Sequence, residues 1–229
     1  MRINIRQFTT THSCDQNNRQ PYRAIICIPL VAVVLFAASC SRVEVKPQLP
    51  ATSQMMQTLL QQDEVQAIKL GSSWRTYGPY DRLEGYPMYD LPPNASRFAS
   101  VTYQEEARLP VIGLTHIIME YDDTVSSQLA FEYTREKNIY NEIHPEKSVS
   151  LLTLADAPTL AADTIEFHCE MWKEVTEDRH PCAARLRYGR YFTQIIVDIT
   201  ATNLRFFTKD EFYQLLQVVD AKMVELSQQ

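Results

Sequence analysis

The first forty residues change from a polar, basic stretch into one apolar run. That run, AIICIPLVAVVLFAAS, spans residues 24–39 and follows Arg19 and Arg23. A membrane-spanning helix needs about 20 apolar residues, whereas this run is shorter and contains Pro29. Basic, apolar and then small residues in this order are typical of a secretory signal peptide. We therefore expect residues 1–39 to be a leader that is removed.

Three later segments repeat apolar residues with the period of an amphipathic helix. The first begins at Ser53, a capping residue, ends at Gly71 and is expected to break near Asp63. The second covers residues 124–138 and places apolar residues four apart, at Val125, Leu129 and Tyr133. The third follows a capping box, TKDE at residues 208–211, and has one apolar face made of Phe212, Leu215, Leu216, Val219, Met223 and Leu226.

Strand patterns fill most of the remaining chain. Apolar or alternating runs predict strands at residues 98–103, 113–121, 149–154, 164–175 and from Cys182 onward. Two of these runs place apolar residues on one face: Ile165, Phe167, Cys169 and Met171 in the first, and Cys182, Ala184, Leu186 and Tyr188 in the second.

Two stretches interrupt this pattern. At Gly189 the alternation shifts by one residue, so that Tyr191, Ile195, Val197 and Ile199 become the apolar set. Such a shift at a glycine indicates a bulge or a hairpin turn. Residues 74–93 contain four prolines and two glycines, and we expect no regular structure there.

Together these elements predict an α+β domain over residues 53–229. Its antiparallel sheet has helices packed on one face and a C-terminal amphipathic helix. The 190 residues that remain after the leader (229 − 39) suit one domain. Residues 40–52 contain two prolines and follow neither period, so we expect a cysteine followed by a flexible tether. In outline, the predicted architecture resembles small envelope domains, including those of the Mog1/PsbP type.

The end of the leader, LFAASC at residues 35–40, resembles the lipobox of bacterial lipoproteins. In that family the leader is cut before the cysteine, which then carries acyl chains such as palmitate. The resemblance covers only the leader and Cys40, and Ala37 stands where the family usually has leucine. It implies that lipid on Cys40 holds the protein on a membrane outside the cytoplasm. Ser41 resembles the outer-membrane pattern of Gram-negative lipoproteins. The alternative is an uncleaved anchor helix, with the domain again outside the cytoplasm.

The charge and the cysteine content fit this location. The chain carries −6 and the leader +3, which leaves −9 on the mature part and argues against nucleic acid as a partner. Cys14 and Cys27 belong to the leader and Cys40 to the lipobox, so Cys169 and Cys182 remain. In an oxidising compartment such a pair forms a disulfide, and we expect one across a hairpin.

Candidate catalytic and metal-binding residues are sparse. Because neighbouring residues on a strand point to opposite faces, His168 and Cys169 cannot easily bind one metal ion, and we predict no metal site and no cofactor. The acidic residues at 120–123 are better explained as caps and charges at a helix N-terminus than as a calcium site. Glu166, His168 and Glu170 share a strand face, but no nucleophile accompanies them. We assign no catalytic residues.

The aromatic residues of segment 74–93 are the candidate binding residues. Tyrosine and tryptophan combine apolar rings with polar edges, which suits sugar or peptide recognition; the segment contains Trp74, Tyr77, Tyr80, Tyr86 and Tyr89. The alternative is that these rings pack into the domain. The sequence thus predicts a non-catalytic envelope lipoprotein that binds a protein partner or supports an assembly. A carbohydrate or small-ligand binder using this segment is the second hypothesis, and a hydrolase the third.

Overall fold

The computed structural model describes residues 47–69, 73–81, 91–105, 111–136, 149–151, 156–172, 180–199 and 206–229. The predicted leader and Cys40 lie outside these ranges. All described residues belong to one compact unit. Within these ranges, no helix is both long enough and apolar enough to cross a membrane.

The centre of the fold is a seven-stranded sheet in which every neighbouring pair is antiparallel. Its spatial order is β1-β2-β3-β7-β6-β5-β4. The strands are β1 (Trp74–Tyr80), β2 (Arg97–Glu105), β3 (Val111–Glu120), β4 (Val149–Leu151), β5 (Thr164–Trp172), β6 (His180–Tyr188) and β7 (Tyr191–Ile199). With its helices, this sheet confirms the predicted α+β class.

Three helices pack on one face of the sheet, which we call the three-helix face. They are α1 (Ser53–Thr58), α2 (Gln62–Ile68) and the C-terminal helix α4 (Lys209–Ser227); α3 (Thr124–Glu136) lies on the other face and is described below. The face is built from alternate strand residues, among them Leu114, Ile118, Ala184, Leu186, Ile195 and Val197, against the predicted apolar stripe of α4. The predicted capping box of α4 is present. The N-cap of α1 is Thr52 rather than Ser53, since the Thr52 side chain accepts the hydrogen bond from Met55 N.

The fourth helix, α3 (Thr124–Glu136), packs on the opposite face, which we call the α3 face. The helix predicted from the spacing of Val125 and Leu129 is present, but these two residues lie on its outer side and are 67% and 61% exposed. A different stripe of the helix is buried instead, made of Ser127, Ala130, Phe131 and Thr134. The reason lies in the partners of that stripe. The ring of Phe131 meets that of Phe192 edge-on at 6.4 Å, and Ser127 Oγ donates to Gly189 O at 2.6 Å.

Regular structure extends into the segment where none was predicted. Residues 74–80 form β1, which pairs with β2 at the edge of the sheet. An edge strand tolerates proline because its outer N–H groups need no partner in the sheet. The register shifts between Tyr77 and Tyr80, where Pro79 lies. Residues 82–90 are outside the described ranges.

The shift of alternation at Gly189 is a hairpin turn. Tyr188 and Tyr191 are directly paired at the ends of β6 and β7, which leaves a two-residue turn. Gly189 has φ +56°, in the left-handed region that glycine adopts without a steric penalty. The predicted apolar faces of β6 and β7 consequently lie together on the three-helix face.

Candidate functional site

The aromatic candidates do not form one surface. Trp74 is buried and stacks on Phe207, with ring centroids 5.4 Å apart. A Cβ at Gly113 would lie 2.3 Å from the Trp74 ring, so that glycine makes room for the indole. Trp74 is therefore a core residue. On strand β1, Tyr77 and Tyr80 are the direct partners of Thr102 and Ser100 on β2, so they lie on the face of the sheet opposite to Trp74. The last two candidates, Tyr86 and Tyr89, lie outside the described residues.

The two domain cysteines are direct partners across strands β5 and β6. Their Cα atoms are 4.0 Å apart and their sulfurs are at disulfide distance, 2.06 Å. Both are buried in the three-helix face. In this geometry neither sulfur is available to a metal ion. More generally, within the described part of the chain no three His, Cys, Asp or Glu side chains lie close enough to hold one ion.

The acidic cluster before α3 has structural partners. Glu120 forms ion pairs with two arginines. Its Oε2 lies 2.9 Å from Arg97 Nη1, and its Oε1 lies 3.0 Å from Arg190 Nη2. Asp123 Oδ1 accepts from Ser126 N at 2.6 Å at the start of the helix, and this backbone hydrogen bond lowers the pKa of Asp123. The carboxylates therefore serve as ion-pair and capping groups.

His116 occupies a structural position that the sequence pattern did not reveal. The imidazole is fully buried on the three-helix face. Its Nδ1 accepts from Leu60 N at 3.0 Å, and its Nε2 lies 3.0 Å from Thr193 Oγ1. Burial, followed by the nearby charge of Lys222, lowers the pKa of His116 from 6.5 to about 3. The ring is thus neutral at physiological pH.

A groove of about 230 Å³ lies beside the link between α1 and α2 on the same face. Its walls include Met56, Leu60 and Val101. The polar groups on its rim bond one another, since Thr76 Oγ1 donates to Gln62 Oε1 at 3.1 Å and Gln62 Nε2 donates to Trp74 O at 3.3 Å. Because these polar groups are already paired with one another, the groove offers few free groups that could select a ligand.

The α3 face carries a different arrangement, a line of five residues across five strands in which four are polar. The sheet register aligns Ser100, Ile117, Gln194, Arg185 and Glu166 as successive direct partners. We call this set the polar row. It adjoins the apolar cluster beneath α3, because Ile117 belongs to both. A partial signal in the sequence is that Gln194 and Arg185 stand beside apolar residues within β7 and β6.

The polar row is buried and partly without partners. Ser100, Gln194 and Arg185 are 0%, 1% and 2% exposed. Arg185 Nη1 donates to Glu166 Oε2 at 3.1 Å. By contrast, within the described structure Ser100 Oγ, Gln194 Nε2, Arg185 Nε and Arg185 Nη2 have no hydrogen-bond partner. A buried polar group without a partner destabilises the fold by about 1–3 kcal/mol, so these atoms mark the strongest candidate binding site in the described domain.

Comparison with known proteins supports the fold only. No protein-family model matches the chain, and no curated protein matches it. Among solved structures, the chain is similar to the extracellular domain of PknH from Mycobacterium tuberculosis, with a TM-score of 0.50 and 10% sequence identity. The match covers 78% of this chain and 100% of that domain.

Proposed function

We propose that this protein is a lipid-anchored protein of the cell envelope whose domain binds a protein partner and does not catalyse a reaction. Cys40 carries the lipid, and the exposed side of α3 contacts the partner. The observation that carries the partner-binding proposal is the exposure of Val125 and Leu129, four residues apart on one helix.

The exposed side of α3 suits a protein contact because its apolar residues are adjacent. Residues four apart on a helix are neighbours on its surface, so Val125 and Leu129 form one apolar patch. Asp122 and Asp123 lie directly before the helix and are exposed. A partner with an apolar contact surrounded by basic side chains complements this surface, in keeping with the −9 charge of the mature chain.

Three features support placement in the envelope. The leader ends in a lipobox-like segment at Cys40. Cys169 and Cys182 lie at disulfide distance, and disulfides persist mainly in oxidising compartments. One solved domain with a similar fold, that of PknH, is an extracellular domain.

We propose that the domain is not catalytic because two described side chains that could transfer a proton, His116 and Glu166, have structural roles. Both ring nitrogens of His116 are engaged within the buried core. The Glu166 carboxylate is paired with Arg185. The side chains of His168 and Glu170, which share the strand face of Glu166, lie outside the described part of the structure.

Cross-linking in intact cells followed by pull-down from membranes tests the partner surface. The variant carries Val125→Ser with Leu129→Ser, and the control carries Gln128→Ser with Glu132→Ser, a second pair four residues apart on the same helix. We expect a defined cross-linked species from the wild type and the control, and its loss from the apolar variant at an unchanged melting temperature. Identical cross-linked species from all three proteins would contradict the proposal.

A small-ligand binder remains the second candidate function. The position of Trp74 in the core removes one of the rings on which the carbohydrate hypothesis depended. The partnerless donors of the polar row favour a ligand of a different chemistry at a different place.

A further inference from the structure

We propose that the polar row is a binding site for a carboxylate or phosphate group. The site lies on the sheet, and its existence requires neither the lipid on Cys40 nor the partner of α3. Its binding groups are Arg185 and Gln194, which are direct partners on the neighbouring strands β6 and β7.

The chemistry of the partnerless atoms defines the ligand. Arg185 Nε, Arg185 Nη2 and Gln194 Nε2 are all hydrogen-bond donors. A group that satisfies them must therefore present several acceptor atoms close together. Carboxylate and phosphate oxygens do this, whereas a cation or an ammonium group does not.

The guanidinium of Arg185 is oriented for such a group. Its Nη1 donates to Glu166 Oε2 at 3.1 Å, so the other edge of the group is left for a ligand. The Nε and Nη2 atoms form one edge of that plane and carry parallel N–H bonds. This edge is the one that binds two oxygens of a carboxylate or phosphate at once.

A second arginine lies next to Arg185 on the same face of β6. Arg187 lies two residues further along β6 on the same face, and its Nη1 is 3.2 Å from Asp163 Oδ2. Its Nε also has no hydrogen-bond partner. Among the described residues, Arg185 pairs with Glu166 and Arg187 with Asp163, and each arginine keeps at least one donor without a hydrogen-bond partner.

Thermal unfolding of the full-length protein in detergent tests the site with defined probes. Sodium phosphate forms one arm and sodium acetate the other, each compared with sodium chloride at the same ionic strength. We expect at least one probe to raise the melting temperature by several degrees more than chloride does. The arm with the larger rise identifies which oxyanion the site prefers.

Two variants connect that rise to the row. Arg185→Lys keeps the charge next to Glu166 but removes the two-donor edge, so the rise should disappear. Gln194→Leu removes a buried donor that has no hydrogen-bond partner. Without a probe, this variant should therefore melt at the wild-type temperature or above. The probe should raise its melting temperature by less than it raises that of the wild type. Arg75→Lys, at an exposed position on β1, is the matched control and should keep the full rise.

Two results would overturn the site. One is a wild-type rise no larger than that in chloride, which would mean that buried water alone satisfies these donors. The other is a rise that persists undiminished in both Arg185→Lys and Gln194→Leu. Either result leaves the proposed envelope function standing, because that function depends on Cys40 and α3.

Discussion

The backbone N–H of Leu60 donates to Nδ1 of His116 at 3.0 Å, and this bond joins the link between α1 and α2 to the centre of the sheet. The carbonyl of the same residue accepts from Tyr103 Oη at 2.7 Å. Lys222 of α4 donates to the neighbouring Leu59 O at 2.8 Å. Side chains from two strands and one helix therefore hold this short turn of the chain.

The stability of the domain should depend on pH through His116. Because the folded-state pKa is about 3 and an unfolded imidazole titrates near 6.5, only the unfolded state gains a proton between these values. The free energy of unfolding should be constant above about pH 6.5 and should then fall by about 1.4 kcal/mol per pH unit toward pH 3 from this group alone. Urea denaturation at several pH values measures it.

The control for this titration is His116→Asn, which keeps an acceptor for Leu60 N and removes the titrating ring. It should be less stable at pH 7 by about 1–3 kcal/mol, but its stability should decline less steeply below pH 6.5. Equal slopes for the two proteins between pH 6.5 and pH 4 would show that His116 does not cause the acid sensitivity.

Gly113 should tolerate no larger residue. In Gly113→Ala the added methyl group would meet the Trp74 ring at 2.3 Å, and relief of such overpacking costs about 1–3 kcal/mol. Gly189→Ala is the comparison, since nothing lies near its added Cβ and only the positive φ is unfavourable. A Gly113→Ala protein as stable as the wild type in chemical denaturation would contradict the placement of Trp74 in the core.

The pair Cys169 and Cys182 should form a disulfide in protein isolated from the envelope. The sequence separation is 13 residues, and closing a loop of this size contributes about 3 kcal/mol in the chain-entropy model. Replacing both residues by alanine should lower the free energy of unfolding by a similar amount. Mass spectrometry of a non-reduced digest should find the two peptides linked, whereas free alkylation of both thiols would exclude the bond.

Local patterns predicted the elements of this fold better than their packing. The stripe of α4 and its capping box could be predicted because a helix of this length shows its buried side within one segment. The buried side of α3 could not be predicted in this way, because Val125 and Leu129 are apolar but exposed while the buried side includes Ser127 and Thr134. Which side of that helix is buried depends on Phe192 and Gly189, which are distant in sequence.

The candidate site could not be predicted from the sequence for the same reason. Ser100, Gln194 and Arg185 become neighbours only through the register of strands β2, β3, β7 and β6. No pattern within one strand indicates that register. The partners Cys169 and Cys182 were predictable because they lie on consecutive strands and few other cysteines remain in the domain.

The most direct measurement of the central claim is metabolic labelling of cells with an alkyne fatty acid, followed by membrane fractionation. The wild-type protein should take up the label and sediment with membranes. Cys40→Ala should take up none, and the Cys169→Ala and Cys182→Ala double variant should be labelled as the wild type is. Equal labelling of the wild type and Cys40→Ala would contradict a lipid anchor at Cys40.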